Sequence, residues 1–109
     1  MPKLPKLRKA RHETLAQIAL LEEMRRGSVT RQFVKSKTKS NTQPVFTGPY
    51  ALFTWKKEGR TVGRRLHDLE EIRRLEHQVE NYHTFQNLCR KLVDIGEQIC
   101  EEKDKEQVP

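Results

Sequence analysis

Residues 48–66 read Gly-Pro-Tyr-Ala-Leu-Phe-Thr-Trp-Lys-Lys-Glu-Gly-Arg-Thr-Val-Gly-Arg-Arg-Leu, two β-prone runs separated by Glu58-Gly59. A glycine in a two-residue loop accepts the positive φ that such a turn needs, so the segment predicts a tight hairpin. The turn fixes the pairing: Lys57 opposite Arg60, Trp55 opposite Val62, Phe53 opposite Arg64, Ala51 opposite Leu66. Side chains alternate between faces along a strand. One face then holds Ala51, Phe53, Trp55, Val62 and Leu66, with Arg64 among them, and reads as core. The other holds Tyr50, Leu52, Thr54, Lys56, Thr61, Gly63, Arg65 and His67, and reads as a basic contact surface. A slip of one residue would exchange these roles.

The flanks complete an α+β plan. Leu15, Ile18, Ala19, Leu21 and Met24 recur at helical spacing, which predicts a helix over 7–26. Arg25 and Arg26 suit the carbonyl end of its dipole, and Gly27 suits a left-handed cap. Val29, Thr30, Phe33 and Val34 favour a short strand, and residues 35–44 read as a polar, basic loop. Residues 28–67 thus form a three-stranded antiparallel sheet. Asp68 caps a long helix over 68–103, with Glu71 as its capping-box partner. Its apolar steps of three and four run from Leu69 to Ile99, with a local change of register near Tyr82. Gly96 is expected to weaken its last turns, and the chain to fray from Lys103 onward. The two helices are expected to pair antiparallel, with the sheet covering one part, in a single domain over 1–109.

Composition limits what such a domain can do. Of its 109 residues 34% are hydrophobic and 34% charged, so the core must be thin. Net charge is +7 and unevenly divided: residues 1–67 hold 16 Lys or Arg against 4 Asp or Glu, and residues 68–109 hold 6 against 11. One part of the chain therefore attracts anions and the other does not. Cys89 and Cys100 fall in one helix, about 16 Å apart at roughly 1.5 Å per residue, beyond disulfide reach. Free thiols, no signal-like start and no apolar span of membrane length make the expected location cytoplasmic, with no membrane partner.

Arg31, Lys35, Lys37, Lys39, Lys56, Lys57, Arg60, Arg64 and Arg65 are the candidate nucleic-acid contacts, because Glu58 is the sole acid among them between Ser28 and His67. Lys56 and Arg65 are the candidates for groove contact. Leu88, Leu92, Ile95 and Ile99 are the candidate seam for a homodimer or a larger protein, since the long helix outruns the first. Glu80 and His83 make half of a di-metal helix motif, but the second pair such a site needs is missing, and no metal or cofactor is expected. No phosphate loop, nucleophile elbow or Cys–His site is evident, so the chain reads as non-enzymatic.

Met24-Arg25-Arg26-Gly27-Ser28-Val29, Gly48-Pro49-Tyr50-Ala51-Leu52-Phe53, Gly59-Arg60-Thr61-Val62, Arg64-Arg65-Leu66 and the Tyr82–Phe85 stretch resemble a widespread family of short prokaryotic proteins. That family is known as a domain of unknown function, and its members are often encoded beside transposases or labelled as such. Many of them carry a cysteine-rich loop before Gly-Pro-Tyr, where this chain has residues 35–44 without cysteine. The resemblance covers about residues 12–100; the family has no assigned activity, and its setting implies an accessory or regulatory protein of a mobile element with a transposase as partner, while DNA or RNA is the partner that the charge implies. In element order and charge the chain is also similar to the arm-type DNA-binding domains of tyrosine recombinases, by analogy only. Two readings stand beside this one: a helix-mediated protein adaptor that needs no nucleic acid, and a small ribonucleoprotein subunit that stacks bases on Trp55 or Tyr50.

Overall fold

The structure, a computed structural model, describes residues 3–36 and 45–107, and side chains throughout these except at 32–36 and 45–49. The elements in order are α1 (Leu4–Ala19), β1 (Ser28–Ser36), β2 (Val45–Lys57), β3 (Arg60–Leu66) and α2 (Leu69–Gln107). The strands form one antiparallel sheet in the order β1-β2-β3, and the class is α+β as the sequence predicts. The chain forms two compact units. One spans Met24–Glu80; the other takes the chain before it and α2 from Asn81 onward.

In the sheet unit the hairpin register is the predicted one, from Lys57 opposite Arg60 to Ala51 opposite Leu66. Glu58 (φ 51°) and Gly59 (φ 80°) are both left-handed, as a turn matching the strand twist requires. On the other side of β2, Val29 opposes Phe53 and Arg31 opposes Ala51. The β1–β2 register shifts between Gln32 and Val34, opposite Gly48 and Pro49. Proline has no N–H for the ladder, so a bulge is the place for it. The core is Ala51, Phe53 and Leu66 from the sheet with Ile72, Leu75 and Val79 from α2, and Val29 and Trp55 pack against it. Each fully buried aliphatic chain here contributes about 1.5–3 kcal/mol.

Asp68 starts α2, but not through a full capping box. Its Oδ1 accepts the Glu70 N–H at 3.2 Å, while the Glu71 carboxylate turns instead to Arg64. The helix continues past Lys103 to Gln107 and through Gly96 without a break.

The helical unit pairs α1 with the rest of α2. Thr14 is buried, with its hydroxyl donating to the Ala10 carbonyl at 2.8 Å, and Ile95 is buried on α2. Lys3 at the start of α1 lies 3.9 Å from Glu102 near the end of α2, and Asn81 Nδ2 donates to the Glu23 carbonyl at 3.0 Å. The pair is therefore antiparallel.

The first helix departs from expectation. It begins at Leu4, with Pro5 tolerated in its first turn, and ends at Ala19 instead of Arg26. Leu20 and Leu21 donate to Gln17 and Ile18, three residues back, which tightens the last turn. Residues 21–26 then leave the helix. Arg25 explains the early exit: its N–H donates to the Gln78 carbonyl and its Nε to Gln78 Oε1. Gly27 is thus not a cap on α1. Its φ of 134° brings the chain so close to β2 that an added Cβ would sit 2.6 Å from the Thr54 carbonyl oxygen and 2.8 Å from the Phe53 ring.

Candidate nucleic-acid interface

Alternation sorts the basic residues of the sheet. Arg31 and Arg64 share the face of Ala51, Phe53 and Leu66, the face that α2 covers. Arg31 donates from Nε and Nη2 to both oxygens of Glu76, at 2.9 and 2.7 Å. This fork is the geometry in which an arginine–carboxylate bond is strongest. The bonds from Arg31 hold the Glu76 carboxyl below its ordinary range and, reciprocally, raise Arg31. Arg64 Nη2 donates to Glu71 Oε1 at 2.6 Å. Two of the four arginines proposed from sequence as nucleic-acid contacts, Arg31 and Arg64, are therefore engaged by helix carboxylates and tie the sheet to α2.

The opposite face is different. Tyr50, Leu52 and Thr54 are half-buried along β2, while Lys56, Thr61, Arg65 and His67 are exposed. The Arg65 guanidinium lies over the Tyr50 ring, 5.1 Å from its centroid, and the His67 ring tilts against Tyr50 at 6.2 Å. A stacked guanidinium keeps its donor edge pointed away from the ring, ready for an anion. Gly63 leaves room there for Leu52 and Thr54, whose side chains would sit 3.5–3.6 Å from an added Cβ. Lys57 and Arg60 flank the turn, both exposed. Lys35 stands in β1 opposite Phe46, inside the stretch expected to be loop; Lys37 and Lys39 lie outside the described residues.

Trp55 faces the core side, half-buried and stacked on Phe53 at 4.9 Å and 25°. One groove beside it, about 400 Å³, is lined by Arg25, Arg26, Phe53, Trp55 and Arg64. A second, about 390 Å³, runs past Arg26, Trp55, Lys56 and Thr61. Sequence reasoning missed Arg25 and Arg26 because they read as helix-end charges; their attachment to Gly27 was the only local hint.

The seam residues fall in the helical unit. Ile95 is buried and Leu88, Leu92 and Ile99 are half-buried, while Val93 is 58% exposed. A groove of about 470 Å³ between the start of α1 and the end of α2 mixes Lys3, Lys6 and Lys105 with Glu101 and Glu102, so it favours neither sign of charge. Glu80 and His83 are exposed on α2. Cys89 is half-buried and Cys100 exposed, both free. No described helix is long and apolar enough to cross a membrane. No protein-family model, no curated protein and no solved structure matches the chain significantly.

Proposed function

We propose that the chain is a non-enzymatic nucleic-acid-binding accessory protein of a mobile element, acting in the cytoplasm beside a transposase. The observation that carries the binding is the segregation of charge across the sheet. Carboxylates of α2 bind the inward Arg31 and Arg64, while Lys56 and Arg65 stand on a face whose strands contain no acid. A surface with no charge-specific task would mix both signs. Lys57 and Arg60 add two exposed cations at the hairpin tip, on the Trp55 side of the ladder, and the lysines at 35, 37 and 39 add to the charge in sequence. The mobile-element role rests on the family resemblance. The α2 face bearing Val93 is the surface offered to the protein partner or a second copy.

The test is binding of the full chain to labelled duplex DNA, to RNA and to single strands, followed by anisotropy across a salt series. Affinity is expected to fall steeply with salt. Reversing Lys56 and Arg65 to Glu is expected to abolish it, while Val93→Glu leaves it intact. Undetectable binding at low salt, or affinity indifferent to salt, would sink the reading. A protein partner lost through Val93→Glu alone would favour the adaptor.

A further inference from the structure

Resting on that nucleic-acid reading, we infer that the cleft around Trp55 is a second site, adjoining the sheet face at Lys56, which takes an unpaired nucleotide of a bound strand. Arg26 and Trp55 line both grooves, which therefore adjoin at these two side chains, one groove on each side of the indole. Lys56 lines one groove and Arg64, held by Glu71, the other, and no carboxylate among the described residues lines either. The cleft is held in shape. Arg25 is fixed to Gln78 through backbone and side chain, and Gly27 presses the linker onto Thr54 and Phe53. Between those two anchors Arg26 is exposed.

The backbone adds a further feature. Pairing between β1 and β2 ends at Ser28 opposite Thr54, whereas β2 runs on to Lys57. Beside the cleft, the β1-side edge of β2 over residues 55–57 therefore meets no strand among the described residues. An indole ring, the exposed cations Arg26 and Lys56 and an open strand edge match the parts of a nucleotide: base face, phosphate and base edge. Inside a duplex the base faces are stacked on each other, so away from the duplex ends a nucleotide must be unpaired to present one to Trp55. Among the described residues the outer sheet face offers Tyr50, and Arg65 already covers its ring.

Trp55 is the sole tryptophan, so its fluorescence reports the cleft directly. The full chain would be titrated with a short single-stranded oligonucleotide, with a blunt duplex of the same sequence, and with inorganic phosphate. Binding of each labelled DNA would be followed in parallel by anisotropy. The single strand is expected to quench Trp55 saturably, at concentrations where blunt duplex and phosphate do not. Arg26→Glu should weaken the quenching about tenfold or more, and Arg26→Lys should restore most of it. Circular dichroism would show both variants folded, since Arg26 has no place in the core. Equal quenching by phosphate or blunt duplex, or a response indifferent to Arg26→Glu, would overturn the inference. Strand binding with a silent Trp55 would overturn it too, while leaving the sheet-face reading intact. No binding by either readout defeats both.

Discussion

Two glycines with positive φ have different jobs, and mutation separates them. Gly59 sits in the hairpin turn with nothing within 4 Å of an added Cβ, so Gly59→Ala meets only the left-handed penalty, about 1–2 kcal/mol. Gly27→Ala meets backbone strain of about 1–3 kcal/mol and also a clash with the Thr54 carbonyl, which cannot swing aside. Denaturant unfolding should rank Gly27→Ala as clearly the worse. Glu58 occupies the other left-handed position of the turn, at φ 51°, where asparagine is better tolerated. Glu58→Asn is expected to raise stability by about 0.5–1 kcal/mol in the same assay, and no gain would argue against the turn geometry. The turn was legible because Glu-Gly between alternating runs is a local signal. Gly27 was misread because Arg-Arg-Gly looks locally like a helix end, and its true constraint is an approach by β2, some 27 residues further along the sequence. Thr14 was missed for a related reason: a polar residue gives no apolar signal, although it falls on the buried stripe of α1 and satisfies its hydroxyl within the helix.

At the level of elements, α2 serves the sheet with its first turns and α1 with the rest. The boundary falls at Glu80 and Asn81, beside the change in apolar spacing near Tyr82. Periodicity therefore located the helix and a change of register, not the change of partner that falls there, while the end of α1 depended on Arg25 reaching Gln78, which no spacing encodes. Packing of α2 on the sheet centres on Ile72, which is 1% exposed. Ile72→Ala should cost about 2–5 kcal/mol, measured by denaturant unfolding. The Arg31–Glu76 pair makes the same junction sensitive to acid. The folded-state pKa of Glu76 is lowered, chiefly by the bonds from Arg31, so the protein gains stability wherever the unfolded carboxyl would already be ionised. That gain is fully present above the ordinary carboxylate range and is lost as pH falls through the lowered value. Glu76→Gln should reduce stability at neutral pH and flatten the acid limb of the stability profile. An unchanged acid limb would show that the pair is not coupled to folding.

For the molecule as a whole, the sign of the charge on each part can be read along the chain, but not the direction in which it points. Hairpin alternation put Arg65 and Lys56 outward and Arg64 inward from the start, since the turn fixed the register. It could not show that Glu76 and Glu71 on α2 would meet Arg31 and Arg64, because such pairs are joined only by the fold. The distinction becomes measurable in the salt dependence of duplex binding. Each phosphate neutralised contributes about −0.9 to the slope of log K against log salt. On the proposed reading Arg65→Gln removes one such contact and should flatten the slope by about one, whatever the DNA sequence. Arg31→Gln and Arg64→Gln remove cations already held by carboxylates, so they should leave the slope unchanged. Their effect should appear instead in unfolding, where the sheet loses its ties to α2. The measurement is the slope for each folded variant over the same salt range, with stability determined in parallel. Equal flattening by all three substitutions would mean that the inward arginines release their carboxylates to bind DNA, and the division of the sheet into scaffold and contact faces would fail.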